Sequence, residues 1–422
     1  MKNPVFAALL LTFGSAAAIA QTPVVFVHGN GDDATKWLPV IWMFESNGYP
    51  ADRLFAIRFI DPSARRENNK PEAFRSSTTD QASELAAFVT RVLIETKASK
   101  VALVGSSRGG LTIRNYVRNG GGAAVVSHAI LCGAPNHGVM LTDTYPHGEF
   151  NGKGHFLRQL NEGSELVDGV KFLTLRSDKL DKYAQPNVGY DGPALHGAEN
   201  IVLPNLDHRE VAFHPLAFAE IYRFITGQAP GQTKPVADAS PAVSGIISGF
   251  AGGAATNRPL AGVHLRIFVQ KPGSADRDED ALVDLTTTDT GSWGPLRVQP
   301  DRGYEFVLEK DGRTVTYFKS GLLRSTTLLN FRFWPALAFG GPVLKGPRLL
   351  IHRPQGYLSK GRDMMLVDGV AVEELLPGVP TRDAVAIQAK SASIRVQLRG
   401  EVVHARPADA ETELNIVDLI WD

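Results

Sequence analysis

A serine set between glycines, Gly105-Ser106-Ser107-Arg108-Gly109, follows the apolar run Val101–Val104 and precedes the helical pattern "LTIRNYV". A serine hydroxyl is a weak nucleophile unless it is held clear of the fold and a neighbour takes its proton. A sharp turn from strand to helix holds it clear. Glycines at the flanking positions remove the clashes such a turn creates, which leaves Ser107 at the tip. The same five residues would also suit a strand-to-helix turn without chemistry. The serine therefore needs a base, a carboxylate and N–H donors from elsewhere in the chain.

Open parallel sheets place their sites at the C-terminal ends of strands, so the partners are sought there. "PVVFV" ends in His28-Gly29-Asn30-Gly31, where small residues let backbone amides point outward. The amide of Asn30, with that of Arg108, would make an oxyanion hole. "VKFLTLRS" is followed by Asp178-Lys179-Leu180-Asp181, and either carboxylate is placed to orient a histidine. "NIVLP" is followed by "NLDHREVAFHP". His208 lies directly after that strand, whereas His214, at the mouth of the next helix, reads as a cap or packing residue. The order Ser107, aspartate, His208 is the order of the α/β-hydrolase fold. The chemistry needs no metal or cofactor, and Asp32-Asp33 and the scattered histidines lack ligand spacing.

The elements that must position these residues are legible as alternation. From Pro23 to about Gly227, six strand-like runs alternate with helical patterns, as expected of a parallel sheet covered on both faces. In "DQASELAAFVTRVLIETK", Leu85, Ala86, Val89, Val92 and Leu93 fall at helical spacing, with Thr79 as the expected N-cap. The long connection at 137–169 holds Met140, Leu141, Tyr145 and Phe150, candidates for an acyl pocket; a solvated loop with a helix at "GHFLRQLNEG" fits the segment as well. A linker at 229–242, rich in Pro, Gly and small polar residues, separates this domain, 21–228, from a β-rich region at 243–422. There "VHLRIFVQ" and "SIRVQLRGEVV" alternate with period two, and Asp311-Gly312 marks a hairpin. One barrel or two small sandwiches are both compatible, with a break at 331–346.

Bulk composition narrows the partners. The chain has 422 residues, and 44 Lys and Arg balance 44 Asp and Glu. Zero net charge gives no long-range attraction for nucleic acid. The single cysteine, Cys132, excludes an intrachain disulfide and reads as a buried small residue. Residues 1–20 read as an export signal: Lys2, an Ala-rich apolar core, and Ala18-Ile19-Ala20 as the cleavage site. The mature chain is thus expected to start at Gln21 and to be secreted or periplasmic. Nothing in the sequence sets the oligomeric state.

"PVVFVHGNGDDATKW", "KVALVGSSRGG" and "NIVLPNLDH" resemble the bacterial class 2 lipases, secreted α/β-hydrolases with little or no lid. The two-part layout is similar to that of an archaeal lipase for long-chain esters. The resemblance covers 23 to about 227 closely and the remainder in outline. It implies Ser107 as nucleophile, His208 as base, the amides of Asn30 and Arg108 as oxyanion hole, and Asp181 rather than Asp178 as the acid. The family commonly has His before the nucleophile and Met after it; this chain has Ser106 and Arg108, which would bring a guanidinium near the acyl group.

Three functions follow for comparison: a lipase or carboxylesterase, an extracellular depolymerase of an aliphatic polyester, and a non-catalytic surface-binding protein on a hydrolase fold. No candidate catalytic residue lies after Gly227, so the C-terminal half is expected to serve the substrate rather than the chemistry. Its run Leu328–Leu344, with Phe331, Phe333, Trp334, Leu337 and Phe339, either fills a β core or docks on a lipid or polymer surface.

Overall fold

The computed structural model describes residues 21–184, 188–189, 191–335 and 346–420. The expected export signal at 1–20, and Leu337 and Phe339, lie outside them. Six strands form one parallel sheet: β1 (Val24–Val27), β2 (Leu54–Ile57), β3 (Val101–Ser106), β4 (Val126–Cys132), β5 (Lys171–Ser177) and β6 (Glu199–Leu203). Their order is β2-β1-β3-β4-β5-β6. Every residue of β1 and β3 is buried, as central strands of a sheet covered on both faces must be. The chain leaves β1 for β2 on one side and returns to β3 on the other. The crevice of the sheet therefore opens between the ends of β1 and β3, where Val27 stands opposite Gly105.

Side-chain alternation divides β1 between two cores. Val24 and Phe26 pack with Trp37, Phe44 and Phe218, whereas Val25 and Val27 pack with Leu85, Val89 and Ile113. The covering helices are α1 (Leu38–Ser46), α2 (Thr78–Thr96), α3 (Arg108–Asn119), α4 (His155–Leu160), α5 (Glu210–Phe213) and α6 (Pro215–Thr226). α2 is capped by Ser77 and not, as expected, by Thr79. The Ser77 hydroxyl accepts the Asp80 N–H, and the Asp80 carboxylate accepts the Ser77 N–H in return. That reciprocal pair satisfies two orphan donors at once, which a cap at Thr79 would not.

Residues 229–241 hold no regular element and run along the end of α1, where Asn47 and Ser46 bond Gln232 and Val236. Beyond them the chain is β-structure. A seven-stranded mixed sheet places, in order, Val283–Thr286, His264–Val269, Tyr304–Lys310, Arg313–Lys319, Glu413–Asp418, Arg348–His352 and Ala384–Gln388. Tyr304–Lys310 and Arg313–Lys319 are joined through Asp311-Gly312, both at positive φ, as a twisted hairpin requires. The arrangement is neither one barrel nor two sandwiches split at 331–346. Glu413–Asp418 inserts parallel between strands from either side of that position, so one sheet spans both parts.

The middle of this sheet is buried on both faces. Tyr317, Leu350 and Ile416 point into one core; Phe318, Ile351 and Val417 point into another. The first core also holds Leu38 and Trp42 from α1, packed among Trp293, Phe306 and Phe331, so the two domains share hydrophobic interior. Each such side chain contributes about 1.5–3 kcal/mol when buried. Phe331 is core, in ring contact with Trp293, Phe306 and Tyr317. Phe333 and Trp334 are half-buried against the same core and not part of a free platform.

Candidate active site

Ser107 sits between the last residue of β3 and the first of α3, at φ 53° and ψ −121°. A non-glycine residue in that region is strained, and such strain persists only where the surroundings impose it. They do so here. A Cβ on Gly109 would lie 2.3 Å from the Val27 carbonyl oxygen, and one on Gly105 would lie 2.7 Å from the Gly110 nitrogen. Both glycines are therefore steric requirements of the turn. Gly110, unremarked in the sequence, is a third: its Cβ would fall 2.5 Å from that of Ala134.

His208 follows β6 by one loop and donates or accepts at both ring nitrogens. Nε2 lies 2.9 Å from Ser107 Oγ, and Nδ1 lies 2.9 Å from Asp181 Oδ2. The other Asp181 oxygen accepts the N–H groups of Tyr183 and Ala184. Burial alone would raise the Asp181 carboxyl. The facing His208 and those N–H groups outweigh it and hold the carboxyl below its ordinary range. Asp178 is not brought to the histidine; it accepts the N–H of Lys179 in its own loop and of Asn205 in the loop after β6. His214 caps α6, accepting the Leu216 N–H.

The turn after β1 lies against the serine: a Cβ on Gly29 would stand 3.3 Å from Ser107 Cβ. Among the described residues, neither the Asn30 N–H nor the Arg108 N–H has a hydrogen-bond partner. Both follow strand ends at the crevice end of the sheet. The Asn30 side chain is engaged elsewhere, accepting the Ala64 N–H. His28 is structural: it is buried, accepts the Phe59 N–H at Nε2, and burial pulls its pKa down.

The Arg108 guanidinium is fully buried, held by both Glu149 oxygens and by Ser76 and the Pro62 carbonyl. A charge in that position must be paired, and Glu149 pairs it. Cys132 is buried, and burial raises its thiol pKa. Of the four acyl-pocket candidates, Met140, Leu141 and Tyr145 are exposed, and Phe150 packs against Leu111, Leu157 and Leu160. The 137–169 connection is thus mainly a surface segment carrying α4. Tyr183 is the residue that sequence reasoning missed at the site. Its ring meets the His208 ring edge-on at 4.6 Å, and its own surface is 39% exposed. Its place two positions after Asp181 was the available signal.

A strained serine between strand and helix, hydrogen-bonded to a histidine and through it to an aspartate from later strand ends, sits where the α/β-hydrolase fold carries such residues. Residues 21–144 match the family model for lipase (class 2), and residues 242–334 match that for the lipase C-terminal domain. The sequence is thus class 2 lipase-like over residues 21–144 and similar to the lipase C-terminal domain over residues 242–334, on an α/β-hydrolase fold. The first match takes in Asn30, Ser107 and Arg108; Asp181 and His208 lie after it. Among solved structures, the chain is similar to lipase B of Aspergillus fumigatus, at 18% identity and a TM-score of 0.40, over 53% of this chain and 57% of that one. It is also similar to the mature lipase BlEst2 of Bacillus licheniformis, at 18% identity and a TM-score of 0.38, over 49% of this chain and 93% of that one. A third is the carboxylesterase CesB of Bacillus subtilis, at 15% identity and a TM-score of 0.30, over 49% and 85%. The chain spans little more than half the length of the Aspergillus protein.

Proposed function

We propose that the protein is an exported serine hydrolase that cleaves carboxylic esters of fatty acids, as a lipase or carboxylesterase does. The observation that carries this reading is the unbroken relay from Asp181 through His208 to a strained, presented Ser107. His208 takes the Ser107 proton as Oγ attacks the ester carbonyl, and Asp181 holds the imidazole tautomer and stabilises the imidazolium. The N–H groups of Asn30 and Arg108 receive the oxyanion. His208 then protonates the leaving alcohol, and water repeats the sequence on the acyl-enzyme. Export rests on the apolar segment at 1–20 and its small-residue cleavage site.

The test is labelling of Ser107 with a fluorophosphonate, together with turnover of p-nitrophenyl esters of graded acyl length. Ser107→Ala and His208→Ala are expected to lose turnover by on the order of 10⁶-fold while remaining folded. Labelling of a folded Ser107→Ala protein, or turnover by either variant, would falsify the assignment. Faster turnover of a polyester film than of every soluble ester would move the substrate class to polymers.

A further inference from the structure

The loop that carries His208 is held from the other domain. Asp207 Oδ1 accepts the N–H groups of Arg209 and Glu210, and Glu210 Oε2 accepts the N–H of Asp207, so the loop closes on itself. The remaining acceptor positions face the C-terminal domain. Asp207 Oδ2 takes the N–H of Tyr357 at 2.7 Å and Arg362 Nη2 at 3.1 Å. Glu210 takes Arg362 Nη1 at 2.7 Å, Arg353 Nη2 at 2.5 Å and Arg399 Nη2 at 3.0 Å. Arg209 reaches Asp383 at 2.6 Å and the Pro354 carbonyl, with its guanidinium over the Tyr357 ring. Three of the four residues in Asp207–Glu210 are thus hooked to the second domain. The fourth, His208, faces Ser107.

The carboxylates and Arg353 are buried, whereas Arg362 and Arg399 reach the cluster from partly exposed positions. Asp207, Glu210 and Asp363 side chains are fully covered, and that of Arg353 is 2% exposed. The three guanidiniums of Arg353, Arg362 and Arg399 meet these three carboxylates, so the cluster is neutral. Buried ion clusters are poor sources of stability, because desolvation offsets much of the attraction. They are directional, however, and a buried charge tolerates little displacement from its partner. A base held to the nucleophile within a fraction of an ångström is what such rigidity serves, since a shift of about 1 Å can cost ~10²-fold in rate.

We propose that Arg353, Arg362 and the Tyr357 backbone of the C-terminal domain act as a clamp on Asp207 and Glu210 that positions His208 against Ser107. The inference rests on the serine-hydrolase reading above. Under it, the second domain is part of the catalytic machinery, and the expectation that it serves the substrate alone does not hold. Arg353 and Arg362 are positioning residues: they touch neither substrate nor the reacting atoms.

The experiment measures kcat, KM, the rate of fluorophosphonate labelling and the melting temperature on the full chain, with a soluble short-chain p-nitrophenyl ester. Arg362→Gln is expected to lower kcat and the labelling rate together by ~10- to 100-fold. KM is expected to stay within about twofold of wild type, since substrate contacts are intact. Arg362→Lys is expected to regain part of the loss. Glu210→Gln removes the same attraction from the other side, and serves where Arg362→Gln does not fold. Arg324→Gln is the control: it breaks the interdomain pair with Glu45 at the end of α1, and is expected to lower the melting temperature without changing kcat. A folded Arg362→Gln or Glu210→Gln with wild-type kcat and labelling overturns the clamp, as does an equal kcat loss in Arg324→Gln. Ser107→Ala separates the two levels. Activity surviving there overturns the hydrolase reading and the clamp with it; activity lost there but intact in Arg362→Gln overturns the clamp alone.

Discussion

Two carboxylates three residues apart show how far chemistry at one residue depends on where a strand stops. Asp178 and Asp181 both follow β5, and either type and spacing would serve a histidine. Asp178 is spent on the turn itself, accepting two backbone N–H groups of neighbouring loops. Asp181, three residues on, is buried and faces His208. Asp181→Asn is therefore expected to lower kcat by on the order of 10⁴-fold, because the amide favours the wrong imidazole tautomer. Asp178→Asn keeps an acceptor oxygen for the turn and is expected to leave kcat near wild type. Steady-state turnover of the two folded variants decides it, and a larger loss in Asp178→Asn would reverse the assignment. The meeting of Ser107 and His208 was legible because each falls next to a strand end, where type and position coincide. The fate of the Arg108 side chain was not, because its partner Glu149 is 41 positions away and nothing local announces it.

At the scale of the element, the glycines of the serine turn are where sequence and packing meet most tightly. The helix start presses on the end of β1, so a methyl group at Gly109 would meet the carbonyl oxygens of Val27 at 2.3 Å and His28 at 2.7 Å. Backbone cannot yield as a side chain can. Gly109→Ala is expected to cost about 1–3 kcal/mol by overpacking and to reduce kcat as Ser107 is pushed from its place. Gly400→Ala, where a Cβ meets open space, is expected to stay within about 0.5 kcal/mol of wild type. Chemical denaturation of both compares them directly; equal stability would mean that the turn relaxes. The six parallel strands could be read from local pattern because each is a short, mostly apolar run, although β5 and β6 are joined without a helix between them. The cap at Ser77 was missed by two positions, since Ser77, Thr78 and Thr79 are all good caps and only the Asp80 return bond chooses. The order of the seven-stranded sheet was not readable either. Glu413–Asp418 pairs with a strand nearly a hundred residues earlier, and alternation within a strand carries no register to a distant partner.

At the scale of the whole molecule, the loop around His208 is tied to the middle of the second domain's sheet by a chain of charges. Arg209 bonds Asp383, Asp383 faces His352, His352 bonds Asp418 at 2.7 Å, and Asp418 bonds Lys319. Burial alone would lower the His352 pKa. The bonds to Asp383 and Asp418 outweigh it and raise the pKa above the ordinary histidine value. Asp418 is correspondingly held low: burial works against its charge, and Lys319 and His352 prevail. A histidine whose folded pKa is raised contributes stability that is fully present below its unfolded pKa, about 6.5, and is lost as pH rises through the folded value. The melting temperature is therefore expected to fall as pH is raised from about 6 towards about 9. His352→Gln is expected to flatten that fall, costing more stability at the acid end of the range than at the alkaline end. Other groups titrate in the same window, so the difference between wild type and variant, and not either curve alone, isolates His352. Parallel melting curves for the two proteins would show that His352 is neutral in the folded chain. A converging pair would place a protonated imidazole inside the sheet, on the same chain of charges that ends beside His208.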